Sequence, residues 1–265
     1  MPRRLPILIA SVLLLAGCGG DGGGGEATPQ ERLAGAVKEY QRAVNDQDCA
    51  AFARFAHSVV RPPGKGPDDP PDAAECRNLG QSYTRLLGFK STRTKVFGTA
   101  AIVEGTVDGR FVALVWTRDL DGRWVQVQSI PGIDPQIRGQ ERVTNQFARN
   151  AADFVTAQRA GDCRRVFRLL NSGSPFVARS PDAASFCERF RESRDSPERL
   201  SAQLEQAPRA RPVDLGGTQD LHFFRVDTGR DRTWTLILAT LPPTLPAAGH
   251  APDSVLDYFP NGPGP

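Results

Sequence analysis

Three histidines and a pair of recurring aspartates are the residues with which this 265-residue chain could do proton chemistry. His222 stands beside Phe223 and Phe224 on an expected strand, with Asp227 five positions on. An imidazole titrates near neutral pH, and a carboxylate that orients it makes a general base, so this pair is the one enzymatic candidate. The plainer reading of His222 is a satisfied histidine on a sheet. His57 closes an expected helix, but the residue at the equivalent place later in the chain is Asn171, and His250 falls in a Pro-rich stretch. Asp48 and Asp162 recur, yet each precedes a helix, where a carboxylate accepts from free backbone N–H groups. No Gly-x-Ser-x-Gly, His-Glu-x-x-His, phosphate-binding glycine loop or EF-hand loop occurs. No catalytic residue, metal or cofactor is therefore expected.

The five cysteines are the other reactive set. Cys-x-x-Cys is absent, so metal or redox chemistry has no framework. Four of them fall into two local pairs, Cys49–Cys76 and Cys163–Cys187, expected as disulfides that stabilise by about 3 kcal/mol each. Cys18 is left over.

The pairs belong to an internal repeat. "NDQDCAAFARFAHS" (45–58) aligns without gaps on "RAGDCRRVFRLLNS" (159–172), matching Asp48 with Asp162, Cys49 with Cys163 and Arg54 with Arg168. Upstream, Leu33, Tyr40 and Ala43 fall on Phe147, Phe154 and Ala157. Downstream, "PDAAEC" (71–76) meets "PDAASFC" (181–187), and Trp124 aligns with Trp234. Leu33, Val37, Tyr40 and Val44 recur at helical spacing, as do Val143, Phe147, Ala151 and Phe154. A turn, a second helix from each recurring cysteine and a third around Cys76 or Cys187 follow.

Past residue 90 the period changes to two. Strands are expected over 100–107, 111–118 and 123–130, and a second hairpin over 221–227 and 233–240. The stretch "ERLSAQLEQ" (198–206) suits helix or strand, and its β-branched counterpart "STRTKVFG" favours strand. The resulting class is α+β: two tandem repeats, each of three helices on a curved antiparallel sheet. Domain one is expected over 31–133, a linker over 134–141, domain two over 142–241, and a Pro/Gly-rich tail over 242–265. In that tail Val255, Leu256, Tyr258 and Phe259 form an apolar island that either docks on the second sheet or serves as a partner peptide. Docking is the expectation. Trp116, Trp124, Trp234 and His222 are candidate lining of a ligand cavity, although aromatics there serve core packing more often. Arg159, Arg164, Arg165 and Arg168 read as a solvated helix face balanced by Asp153, Asp162 and Glu188 rather than as a lipid-headgroup contact.

The N-terminus gives an address. Arg3 and Arg4 precede an apolar run, Leu5 to Ala16, too short to span a bilayer. Leu15-Ala16-Gly17-Cys18 resembles the lipobox of bacterial lipoproteins. That resemblance implies a signal peptide over 1–17, cut before Cys18, and acyl chains on Cys18 that hold the protein to the cell membrane on its extracytoplasmic face. Residues 18–30, rich in glycine, read as a flexible tether. The formal charge of +3 becomes +1 once Arg3 and Arg4 leave with the signal, which argues against nucleic-acid binding.

The helix order, the "GDC" turn and the tryptophan strand "GRWVQVQSI" (122–130) resemble the nuclear-transport-factor-two-like, or cystatin-like, cone-roll domains found in actinobacterial lipoproteins. This resemblance implies a cone-shaped cavity between helices and sheet, and no single activity. The expected function is a non-enzymatic lipoprotein that binds a small apolar ligand or another envelope protein. Its alternatives are a hydrolase or isomerase working in the second cone, or a structural spacer at the envelope.

Overall fold

The structure is a computed structural model that describes residues 27–55, 70–131, 145–180, 182–194, 196, 199–218, 220–229, 232–240 and 253–261. The signal segment, Cys18, the linker over 134–141, His57 and His250 lie outside these residues.

The first half opens with α1 (Pro29–Asn45). Thr28 caps it: the Glu31 N–H donates to the threonine hydroxyl, and the Glu31 carboxylate accepts from the Thr28 N–H at 2.8 Å. This capping box fixes the helix start, and Pro29 supplies a preset first-turn φ. Leu33, Val37, Tyr40 and Val44, three to four residues apart, turn one face inward. The short helix α2 (Cys49–Ala53) is capped by Asp48, which accepts from Ala51 N–H at 3.0 Å. Then come α3 (Ala73–Thr84) and a meander of β1 (Lys90–Phe97), β2 (Ala100–Val107), β3 (Arg110–Arg118) and β4 (Trp124–Pro131), all antiparallel. Asp108 and Gly109, both at positive φ, make the two-residue turn between β2 and β3 whose twist suits a hairpin.

The second half also sets helices before a sheet, but five described helical segments stand where three were expected: α4 (Asn145–Ala160), α5 (Cys163–Leu169), α6 (Pro175–Ala178), α7 (Ala183–Arg194) and α8 (Leu200–Gln206). Asp162 caps α5 by accepting from Arg165 N–H at 3.0 Å, as Asp48 does for α2. The sheet is β5 (Pro212–Gly217), β6 (Leu221–Asp227), β7 (Thr233–Ala239) and β8 (Ser254–Asn261), antiparallel in that order. Disulfides Cys49–Cys76 and Cys163–Cys187, with Cα atoms 5.7 and 5.1 Å apart, tie the second helical segment of each half to the next long helix. The protein is thus α+β, with two four-stranded antiparallel sheets, each following its own helices. Among the described residues no helix is long and apolar enough to cross a membrane.

Three expectations change. Residues 200–206 are helical, not extended: Leu200, Ser201 and Leu204 bury one helical face, and "LSAQLEQ" contains no β-branched residue to favour a strand. The first strand of the second sheet is instead "PVDLGG". Trp124 and Trp234 are not structural counterparts, because Trp124 starts the fourth strand of its sheet and Trp234 the third of its own. The displacement arises because the fourth strand of the second sheet, β8, comes from the stretch read as a tail. There the apolar island docks: Val255 joins the helix-side core, and Leu256 and Phe259 the opposite face.

That opposite face is the joint of the molecule. Each sheet carries helices on one side and meets the other sheet on its second, so the layers run helices, sheet, sheet, helices. Ile102, Val115, Val125 and Val127 from the first sheet pack with Leu221, Phe223, Ile237 and Phe259 from the second. The Phe97 ring stacks on Phe223 at 5.4 Å. A polar seam runs beside this apolar contact. Thr99 donates to Thr235 Oγ1 at 2.8 Å, and Thr235 donates to Asn261 Oδ1 at 2.6 Å. Asn261 Nδ2 donates to Thr117 Oγ1 at 3.0 Å and to the Arg118 carbonyl, while Thr117 donates to the Thr99 carbonyl at 3.3 Å. All four side chains are buried, and each hydroxyl or amide has a partner, so the seam avoids the penalty of burying polar groups unmatched.

Candidate functional site

The expected lining residues divide between two separate interiors. Trp116 and Trp124 face the helices of the first half, whereas Trp234 and His222 face those of the second. The four do not gather around one space.

In the second half each of these residues is already engaged. His222 is buried and stacks between Phe147, at 5.4 Å with planes 15° apart, and Phe224, at 5.2 Å. Its Nε2 lies 2.7 Å from Asp214 Oδ1, and the same oxygen accepts from Gly216 N–H at 2.6 Å. Gly217 permits this approach: a Cβ there would fall 2.2 Å from the Leu221 carbonyl and 2.9 Å from His222 Nδ1. Asp227 sits at the far end of β6, pairs in register with Thr233, and accepts from Gly229 N–H at the hairpin turn. The His222–Asp227 dyad expected for an enzyme is therefore not formed. The carboxylate beside His222 is Asp214, on the neighbouring strand. Trp234 donates to Gln203 Oε1 at 2.8 Å and its ring meets Tyr258 at 5.9 Å.

The first interior differs. Trp116 is fully buried and meets Tyr40 edge-on at 5.3 Å and Phe55 at 6.3 Å, while Tyr40 tilts against Phe52 at 5.4 Å. The β3 pleat turns Trp116 toward α1, and the helical spacing of α1 puts Tyr40 against it. Burial holds the Tyr40 phenol well above its ordinary pKa, so it remains a neutral O–H donor. Among the described residues neither the Tyr40 hydroxyl nor Trp116 Nε1–H has a hydrogen-bond partner. At the aligned position of the second half stands Phe154, which has no hydroxyl to satisfy. Trp124, by contrast, donates to the Pro29 carbonyl at 3.2 Å and lies under the Arg118 guanidinium, 5.3 Å from its ring centroid.

The arginine cluster of the second half holds structural partners: Arg165 pairs with Asp153 at 3.1 Å and Arg159 donates to the Ala210 carbonyl at 2.8 Å. Among the described residues no group of histidine, cysteine, aspartate and glutamate is disposed to hold a metal ion. Sequence reasoning selected Trp116 but not Tyr40 as a site residue. The signal was available where the aligned segments place Tyr40 against Phe154 within a helical apolar stripe. Compared with known proteins, the chain matches no family model and no curated protein.

Proposed function

We propose that this protein is a lipid-anchored, extracytoplasmic, non-enzymatic binding protein with two cone-roll halves, the first of which takes a small apolar ligand bearing a hydrogen-bond acceptor. The observation that carries the ligand is the pair of fully buried, unpartnered donors, Tyr40 Oη–H and Trp116 Nε1–H, within one cluster of rings. An unmet buried donor costs roughly 1–3 kcal/mol, a cost that an acceptor on a ligand would remove. The address rests on the lipobox-like Leu15–Cys18, and the disulfides suit an oxidising compartment. The second half, whose Trp234 and His222 have partners of their own, serves as scaffold.

Native mass spectrometry of the protein taken from its own cell membranes tests this reading. The expected result is an acylated Cys18 N-terminus and a small non-covalent adduct that Tyr40→Phe/Trp116→Phe loses. An unmodified start elsewhere would sink the address, and bare protein would sink the ligand.

A further inference from the structure

Two arginines of the second half converge on one backbone oxygen. Arg159, in the last turn of α4, donates through Nη2 to the Ala210 carbonyl at 2.8 Å. Arg211, just before β5, donates through Nη1 to the same carbonyl at 3.3 Å. The shared acceptor holds the two guanidinium groups side by side. Among the described residues neither of them bonds a carboxylate. The one charge weighing on Arg159 is that of Arg211: partial burial first, and this like charge second, draw the Arg159 pKa below the usual arginine value. The closing turn of α4 lends Arg159 some negative potential, but Arg211 stands outside any helix. The corner is open to solvent. Arg211 is exposed, Arg159 is half-buried, and the exposed Arg209, which precedes Ala210 in sequence, adds a third cation.

Water screens such a pair, and an anion that bridges it turns repulsion into attraction. A carboxylate has two oxygens and fills one guanidinium fork. A phosphate has oxygens for two forks and, as a monoester, carries a charge of about −1.5 to −2 at neutral pH. We propose that Arg159 and Arg211 form a surface site for a phosphate group on the second half. The site lies apart from the ring cluster of the first half, and it stands or falls independently of the ligand placed there.

Calorimetric titration of the full-length protein in phosphatidylcholine nanodiscs with inorganic phosphate, at constant ionic strength, tests it. Saturable binding is expected. Arg211→Gln and Arg159→Gln are each expected to weaken it at least about tenfold, the scale of one charge-assisted contact. Arg211 is exposed, so its variant should keep the wild-type melting temperature. Arg164→Gln, which removes an exposed arginine of α5, is expected to bind phosphate as the wild type does. Adding phosphatidic acid to the bilayer separates the sources of the phosphate. A lipid headgroup that occupies the site lowers the apparent affinity of the wild type but not of Arg211→Gln, whereas an unchanged affinity assigns the site to free phosphate or its soluble esters. Absence of saturable binding, or an equal loss with Arg164→Gln, would overturn the site.

Discussion

The side-chain amide of Gln128, on the last strand of the first sheet, donates to the carboxylate of Asp257, on the last strand of the second, at 3.1 Å. Asp257 is buried in the joint between the sheets, with the Tyr258 N–H as its other donor. Burial pushes its pKa up to about 7, with Gln128, the Tyr258 N–H and the more distant charge of Arg179 pulling only weakly the other way. The two halves therefore meet across an acid that holds its proton in mildly acidic solution.

Stability should fall as pH rises through that window. The native pKa lies above the ordinary 3.8, so the folded protein keeps a proton that the unfolded chain releases between about pH 4 and 7. The loss approaches about 1.4 kcal/mol per pH unit at most and levels off above pH 7. Asp257→Asn should remove this slope and be the more stable protein at pH 8. Urea denaturation of both proteins at pH 5 and 8 measures it; a parallel response would refute the buried-acid account.

The polar seam should behave as a unit. Thr235→Val strands both the Thr99 hydroxyl and Asn261 Oδ1, at a cost of about 1–3 kcal/mol. Adding Thr99→Val removes one stranded group, so the double variant should lose less than the sum of the two single losses. A double-mutant cycle by thermal unfolding gives the coupling; additive losses would mean the four side chains act separately.

Peptide mapping without reductant should recover Cys49–Cys76 and Cys163–Cys187 and no peptide joining the two halves. Removing either bridge with a Cys→Ser pair should cost about 3 kcal/mol, since each closes a loop of similar length.

Leu204→Ala should destabilise by about 2–5 kcal/mol, because Leu204 is fully buried in the helix-side core of the second half. A strand at 200–206 would turn Leu200 and Leu204 to one face and Ser201 to the other. The Cα chemical shift of Leu204 in the wild-type protein separates the two, since helical and extended backbone move it in opposite directions from its unfolded value.

What could be read from residues alone was what local physics decides. The α1 stripe of Leu33, Val37, Tyr40 and Val44 states its own period, and the aspartates before Cys49 and Cys163 state their caps. The cysteine pairs follow from proximity along the chain. What escaped depended on distant partners. Leu200 and Leu204 fit two periods until a core chose one. Asp214 meets His222 only through a strand pairing interrupted near Gly216. Most instructive is β7, whose seven residues are all buried. Its "TLIL" run already signalled a strand covered on both faces, but a run cannot say what covers it.

The fourth strand of the second sheet also sets a clock. Synthesis proceeds from the N-terminus, so residues 254–261 emerge after the first sheet and after β5, β6 and β7. Until they arrive, β7 keeps an open edge, and the joint lacks Leu256, Asp257, Phe259 and Asn261. Every strand of the first sheet precedes residue 132, whereas β7 gains its outer partner, and the joint its last four side chains, only from residues 254–261. A chain cut before residue 254 therefore lacks nothing of the first sheet but leaves β7 an unpaired edge.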